Sequence, residues 1–290
     1  MRICENIALK EEIMSDIVEK IGNTMVHHGK NSNRIYVMSL DITDLPIMID
    51  KLDELANKNK YSKIVAKISL CDKDIFESNG YVIEAVIPDF YNDRKDGCFI
   101  CKYFSQNRKI DPFKEEGKSI LDVISSKTRT VCDSQLKKGF SCRQATKKDI
   151  PAMTEVYHKV FKSYPFPIYD QAYIRKTMEE NVIYYGIWQE DKLVALSSIE
   201  QYEAYSNAEM TDFAVLNEYR GNGFAQYLLV DMEKKLSDLG IKTAYTIARA
   251  KSAGMNTTFY KNGYHIAGTL INNTDIAGQI ESMNVWYKKI

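Results

Sequence analysis

The chain has 290 residues, long enough for two domains or one elaborated one. At 44% hydrophobic and 27% charged residues it is an ordinary globular composition, which excludes disorder and fibrous repeats as a description of the whole. Lys+Arg 39 against Asp+Glu 39 leaves no formal net charge, so general nucleic-acid binding, which needs surplus cations to displace counterions from phosphates, is not expected.

The opening segment MRICENIALKEEIMSDIVEK is charged throughout and has no signal-peptide core. No apolar run approaches the roughly 18–20 residues of a membrane span. The expectation is a cytoplasmic protein with no membrane partner. A helix is expected over Leu45–Asn57, then a strand over Lys63–Ser69. Phe76-Glu-Ser-Asn-Gly-Tyr81 closes a second helix, and strands follow over Tyr81–Ile87 and Gly97–Phe104. The last strand holds Cys98 and Cys101, a CxxC whose members would face opposite sides of a strand. With no second CxxC or nearby His, they are read as buried strand cysteines, and no metal is expected. Six cysteines in this length make no disulfide framework. A linking helix is expected over Ile120–Leu136.

The C-terminal half is more regular. A strand over Ser141–Thr146 precedes a helix over Lys148–Lys162, with Asp149 as N-cap and Pro151 in the first turn. The segment Ser163-Tyr-Pro-Phe-Pro-Ile-Tyr-Asp170 is broken by prolines. A helix over Gln171–Asn181, a hairpin of Tyr184–Gln189 with Leu193–Gln201, and a strand over Ala208–Leu216 follow. Gly223–Leu239 is an amphipathic helix with Ala225, Leu228, Leu229, Met232 and Leu236 on one stripe, ended by Gly240. Thr243–Ala248 (strand), Ser252–Asn262 (helix), Tyr264–Leu270 and Ser282–Lys288 (strands) complete a mixed α/β unit of about 150 residues.

The two halves echo one another. Phe259-Tyr-Lys-Asn-Gly-Tyr264 matches Phe76–Tyr81, and each is preceded by a strand and a helix and followed by two strands. Residues 34 to about 105 therefore read as a second copy of the later half of the C-terminal unit. Chance recurrence of a common helix-to-strand junction is the alternative.

Chemistry concentrates where a strand, Ala208–Val215, runs into Arg220-Gly-Asn-Gly-Phe-Ala225 and a long helix. Helix N-termini carry unpaired N–H groups, and glycines let them converge, which suits a pyrophosphate. The pattern is neither a Walker A loop nor a Rossmann fingerprint.

Arg220-x-x-Gly223-x-Ala225 resembles the [Q/R]-x-x-G-x-[G/A] signature of the GNAT superfamily of N-acetyltransferases. Residues 141–290 resemble that family end to end. The SYPFPIYD, AEMTDFAV and GMNTTFYKNGYHIAGTL segments, with the chain length, are most similar to the β-lysine N6-acetyltransferases. The resemblance implies a GNAT fold at 140–290, behind a degenerate GNAT-like unit at 1–139 that lacks the phosphate turn. It implies acetyl-CoA as co-substrate, no metal, and acetyl transfer to the ε-amine of β-lysine, making a compatible solute. Another small amine, a protein lysine, or a non-catalytic acyl-CoA sensor remain the competing readings. Monomer and homodimer are left open.

By the same resemblance, Arg220, Gly221, Asn222, Gly223, Phe224 and Ala225 hold the CoA pyrophosphate, chiefly through backbone N–H groups. Phe213, Ala214 and Val215 pair with pantetheine, with an N–H near Val215 facing the thioester oxygen. Glu209 is implied as general base. The chemistry needs one, since a lysine-type amine with a pKa of about 10.4 arrives protonated. Asp212, three residues on, would face the other side of a regular strand. Family members carry a tyrosine four residues before the helix-ending glycine. Here that position is Phe259, and Tyr260, three before, is the candidate acid instead. Ser252 and Asn256 are candidate CoA contacts, or helix caps. Tyr164, Phe166, Tyr169 and Tyr173 sit where the superfamily builds its acceptor site, with Tyr185, Tyr202 and Tyr205 from the hairpin. An aromatic wall suits a cationic amino acid, although part of this set is expected simply to pack the core. Arg175 is either a clamp for the substrate carboxylate or a surface residue. His158 and His265 have no partner evident in the sequence.

Overall fold

The computed structural model describes residues 16–129 and 135–290, so the opening segment and part of the expected 120–136 helix lie outside the described residues. The N-terminal half runs β1 (Ile17–Ile21), β2 (Thr24–Gly29), β3 (Arg34–Ser39), α1 (Leu45–Asn59), β4 (Lys63–Ser69), α2 (Lys73–Glu77), β5 (Val82–Tyr91), β6 (Lys95–Tyr103), α3 (Gln106–Lys109) and α4 (Lys114–Ser125). The C-terminal half runs β7 (Phe140–Gln144), α5 (Ile150–Val160), α6 (Gln171–Glu180), β8 (Val182–Gln189), β9 (Lys192–Tyr202), β10 (Asn207–Val215), α7 (Phe224–Asp238), β11 (Thr243–Arg249), α8 (Ala253–Lys261), β12 (His265–Ile276) and β13 (Gln279–Lys289).

Local chemistry accounts for most boundaries. Pro46 sits in the first turn of α1, whose buried stripe is Met48, Ile49, Leu52 and Ala56, and Lys60 ends it in the left-handed region. In α7 the buried stripe is Leu228, Leu229, Met232 and Leu236. Asp170 caps α6 by accepting from the Ala172 N–H. Asp149 precedes α5 but does not cap it. Its carboxylate turns back to accept from the Thr146 N–H and from Arg143, a stronger, charge-assisted pairing. The helix expected from Ile120 instead begins at Lys114 and ends at Ser125.

All strands join one mixed sheet of order β1-β2-β3-β4-β6-β5-β12-β13-β11-β10-β9-β8-β7. Apart from the extra edge strand β7, the order reads the same from both ends. In each half an antiparallel meander leads to a parallel pair, β3–β4 or β10–β11, and an antiparallel hairpin inserts beyond it. The halves meet along β5 and β12, antiparallel, through the single register pair Ala85↔Gly268. A Cβ at Gly268 would stand 2.0 Å from the Glu84 carbonyl oxygen, so only glycine permits this approach.

Helices α7 and α8 cover one face of the C-terminal strands, and α5 and α6 the other. Helix α1 covers one face of the N-terminal strands. A further core joins the halves directly, packing Tyr36, Val65, Phe90 and Phe99 against Tyr245, Leu270, Met283 and Val285. Cys98 and Cys101 are both buried on β6, the first in the α1 core and the second in this shared core, as strand alternation requires.

Buried cations fasten the same interface. Lys63 Nζ donates to Glu84 at 2.8 Å and to the Ile271 carbonyl at 2.6 Å. Arg108 donates to the carbonyls of Asn272 at 2.6 Å, Ser32 at 2.7 Å and Asn273 at 3.2 Å. Replacing Arg108 by Met keeps the stem but orphans these carbonyls. The Arg108→Met chain should lose about 2–4 kcal/mol of unfolding free energy in urea titration. A loss under about 1 kcal/mol would mean that water satisfies the carbonyls and the fastening is weak.

Candidate active site

The site begins where a ladder stops. Strands β10 and β11 pair over Asn207↔Thr243, Ala208↔Ala244 and Glu209↔Tyr245, and no further among the described residues. On its other side β10 stays paired to β9, but with a bulge between Thr211 and Ala214, and Asp212 has a φ of 56°. A bulge adds a residue and re-aims the side chains after it. Asp212 therefore lines the same cavity as Glu209, contrary to the alternation of a regular strand.

That cavity, about 330 Å³, lies between the two halves. Strands β9 and β10 give it Glu200, Tyr202, Glu209 and Asp212, the proline-broken segment gives Tyr164 and Phe166, and β3 gives Arg34 and Tyr36. The parting of β10 and β11 forms a smaller adjoining gap, lined by Phe213, Ala248, Ser252, Met255 and Phe259. Tyr164, Thr211 and Asp212 line both spaces.

Three carboxyl groups share little water here. Asp212 accepts from the Tyr164 hydroxyl at 2.5 Å and from Ser198 at 2.6 Å, yet burial still raises its pKa. Burial likewise raises Glu200, against the pull of the Tyr202 hydroxyl that donates to it. Glu209 faces the cavity and is only partly exposed. Burial first, and the Glu200 charge second, push its carboxyl up to about 8. Lys67, whose Nζ donates to the Tyr245 hydroxyl at 2.8 Å, opposes that rise. A carboxyl poised there can hold an ammonium and take its proton.

Of the aromatic residues singled out in the sequence, Tyr164, Phe166, Tyr173 and Tyr202 line this cavity. The others stand elsewhere. Tyr185 points into the core beneath α7, because β8 alternation turns Tyr184 toward the cavity instead. Tyr184 bonds Thr177 at 2.9 Å. Tyr169 stacks on His158 and donates to the Phe161 carbonyl. Tyr205 packs edge-on against Tyr91 in a separate groove. Arg175 is exposed on α6 and away from the cavity wall. His265 is exposed and lies beside Tyr287.

Tyr260 is also displaced from the expected acid position. Its hydroxyl donates to the Ser125 and Lys127 carbonyls at the end of α4, on the outer side of α8. Phe259 takes the inward position, buried against Phe213 at 5.5 Å between ring centres. Asn256 has no capacity left for a ligand. Its Nδ2 donates to the Arg249 and Ser252 carbonyls, and its Oδ1 accepts from Asn284 and Trp286. Ser252 caps α8 and borders the gap.

Past Val215 the chain makes a short turn, and α7 begins at Phe224 with no side chain capping it. Gly221 and Gly223 have φ of 79° and 75°, and the space a Cβ would take is open at both. Arg220 is exposed beside them. Asn222 accepts from Lys137 at 2.7 Å and donates to the Tyr219 carbonyl. Phe224 itself is buried against Phe140, leaving its backbone for a ligand. An uncapped helix start, a glycine turn and nearby cations suit a pyrophosphate. No pattern in the sequence marks Arg34, Tyr36, Glu200 or Tyr184 as cavity residues.

A glycine turn at an uncapped helix start, leading along a parted strand to a half-buried acid cluster, suits an acyl-CoA-dependent transferase. Residues 150–264 match the model of the Acetyltransferase (GNAT) family. The chain is 42% identical over 275 residues to the β-lysine N(6)-acetyltransferase of Methanococcus maripaludis, covering 95% of this chain and 99% of that one. It is 31% identical to the enzyme of the same name from Methanosarcina mazei, over 82% and 95% of the two chains. Identity to the N-acetyltransferase YodP of Bacillus subtilis is 34%, over 81% and 85%. The chain belongs to the GNAT family and is an acetyl-CoA-dependent N-acetyltransferase.

The raised carboxyl of Glu209 has a thermodynamic signature. Its folded pKa of about 8 exceeds the ordinary 4.5, so its contribution to stability is full below 4.5 and is lost as pH rises through 8. Glu209→Gln removes that dependence. Between pH 5 and 9 the variant should gain about 2–4 kcal/mol relative to the parent in urea unfolding. Parallel curves would show that Glu209 is ionised in the folded chain throughout.

Proposed function

We propose that this acetyltransferase moves acetyl from acetyl-CoA to the ε-amine of β-lysine. The observation that carries the reading is the half-buried group of Glu200, Glu209 and Asp212, set where β10 leaves β11. An acceptor with two ammonium groups enters a site of three carboxyl groups favourably, and the gap opens on the same point. The relatives named for β-lysine acetylation support the choice of acceptor.

In this reading the turn at 220–225 holds the pyrophosphate, and Phe213, Ala214 and Val215 line the path of the pantetheine arm. Backbone N–H groups of β10, released from β11, face the charge that develops on the thioester oxygen. Glu209 takes the proton from the arriving ammonium, freeing the lone pair for attack. Glu200 and Asp212 keep the cation in place, and Tyr164 fixes Asp212. Holding both substrates on adjoining walls accounts for much of the acceleration. The thiolate leaves without a dedicated side-chain acid, since the Tyr260 hydroxyl is engaged elsewhere.

We further infer that residues 140–290 are the catalytic unit. Residues 1–139 form a degenerate copy whose remaining task is to close the acceptor cavity. A cytoplasmic enzyme that makes a compatible solute fits these features. Among the described residues no helix is long and apolar enough to cross a membrane.

The test is turnover. With acetyl-CoA, β-lysine should be acetylated on its ε-nitrogen in preference to α-lysine, spermidine or a lysine peptide, by thiol release and product mass. Preference for spermidine or peptide would overturn the acceptor assignment. Glu209→Gln should lower kcat about 10²–10³-fold with CoA affinity kept. For the parent, kcat/KM should rise as pH increases through about 8, because the base form is required. The variant should lack that limb, and an unchanged limb would remove Glu209 from the proton transfer.

A further inference from the structure

Arg34 opens β3, in the half of the chain without a phosphate turn. Its side chain lines the acceptor cavity together with Glu209 and is only 3% exposed. Its Nε has no hydrogen-bond partner, and among the described residues no carboxylate is within ion-pair distance. The guanidinium carbon lies 5.2 Å from the centre of the Tyr36 ring. Two acids act on it at longer range, Asp16, which already accepts from the Asn31 and Ser32 N–H groups, and Glu209 across the cavity. Arg108, another buried arginine, spends its donors on backbone carbonyls and the Ser62 hydroxyl. Arg34 is different: a desolvated cation with donors unspent, in the wall of a cavity.

A buried charge without a partner is costly, and its removal normally stabilises a fold. Burial draws the Arg34 pKa down to about 10, so the cation persists at neutral pH. A planar fork of donors matches a carboxylate in two bonds. The carboxyl groups of β9 and β10 lie on the C-terminal wall of the same cavity, and Arg34 on the N-terminal wall. An amino acid with a terminal amine has this polarity, cation at one end and carboxylate toward the other.

We propose that Arg34 binds the carboxylate of the acceptor, so that the N-terminal half selects amino acids over simple polyamines. The assignment deepens the β-lysine reading and rests on it. It replaces Arg175, which is exposed and outside the cavity. It also gives the half without the phosphate turn a chemical role. Counted from the first pair of each parallel ladder, Tyr36 occupies the place of Glu209 and Arg34 that of Asn207. The copy thus presents a cation and a phenol where the catalytic half presents an acid.

The probe pair is β-lysine and 1,4-diaminopentane, which is β-lysine without its carboxyl group. The full-length parent should favour β-lysine by at least about 100-fold in kcat/KM, since a site built for a polar group rejects the analogue lacking it. Arg34→Met should cut kcat/KM for β-lysine about 100-fold, mostly through KM, and leave the diamine within about threefold. Arg34→Lys should recover part of the β-lysine value. Equal losses for both acceptors would overturn the proposal and leave Arg34 a structural residue. Should the Met chain fail to fold, thermal upshift of the parent in the presence of CoA decides. β-Lysine must protect more than the diamine at equal concentration, and equal protection overturns the clamp. A parent that acetylates neither probe but does acetylate a peptide refutes the acceptor reading itself, an outcome separate from equal losses in the variant.

Discussion

The working part of this molecule depends on one interruption, the end of β10–β11 pairing after Glu209. A parallel ladder continued to Val215 would leave no space for an acyl donor and no free N–H groups on β10. The bulge at Asp212 compounds the effect, since a φ of 56° turns that side chain into the cavity beside Glu209. Such a conformation is strained for a non-glycine residue and persists only where its surroundings hold it. Here Ser198 and Tyr164 hold the carboxylate. One local departure from regular strand geometry thus opens the gap and gathers the acids.

The N-terminal half makes the opening useful. Strand β3 walls the cavity, and the shared core of Tyr36, Phe99, Tyr245 and Met283 keeps the two walls in register. Buried Lys63 and Arg108 fasten the halves with charge-assisted bonds to backbone carbonyls of the C-terminal half. Enclosure then sets the chemistry. The carboxyl groups of Glu200, Glu209 and Asp212 all rise in pKa, and in each partial withdrawal from water is the first cause.

What the sequence made legible was local. The Arg220–Ala225 turn is a contiguous pattern whose physics needs only a glycine pair and a helix start, and it lies where the spacing put it. The strand Lys63–Ser69 and the helix stripe of α7 follow from periodicity alone. Glu209 was legible through resemblance and the need for a base. The rest failed where tertiary geometry overrides local pattern. Alternation placed Asp212 on the wrong side because a bulge leaves no clear mark in composition. A register error of one residue chose Tyr185 over Tyr184. Tyr260 was named, while the fold turns Phe259 inward and gives the Tyr260 hydroxyl to α4. Arg34 was invisible, since nothing in its neighbourhood announces that β3 will face β10 across a cavity.

We propose that acceptor and acyl donor meet where β10 leaves β11, inside a cavity walled by both halves. A crystal structure with CoA and β-lysine tests this most directly. The pantetheine sulfur should lie in the gap beside Phe213 and the ε-nitrogen within hydrogen-bond reach of Glu209. A β-lysine bound on the outer face of the C-terminal half, with β3 contributing nothing, would contradict it.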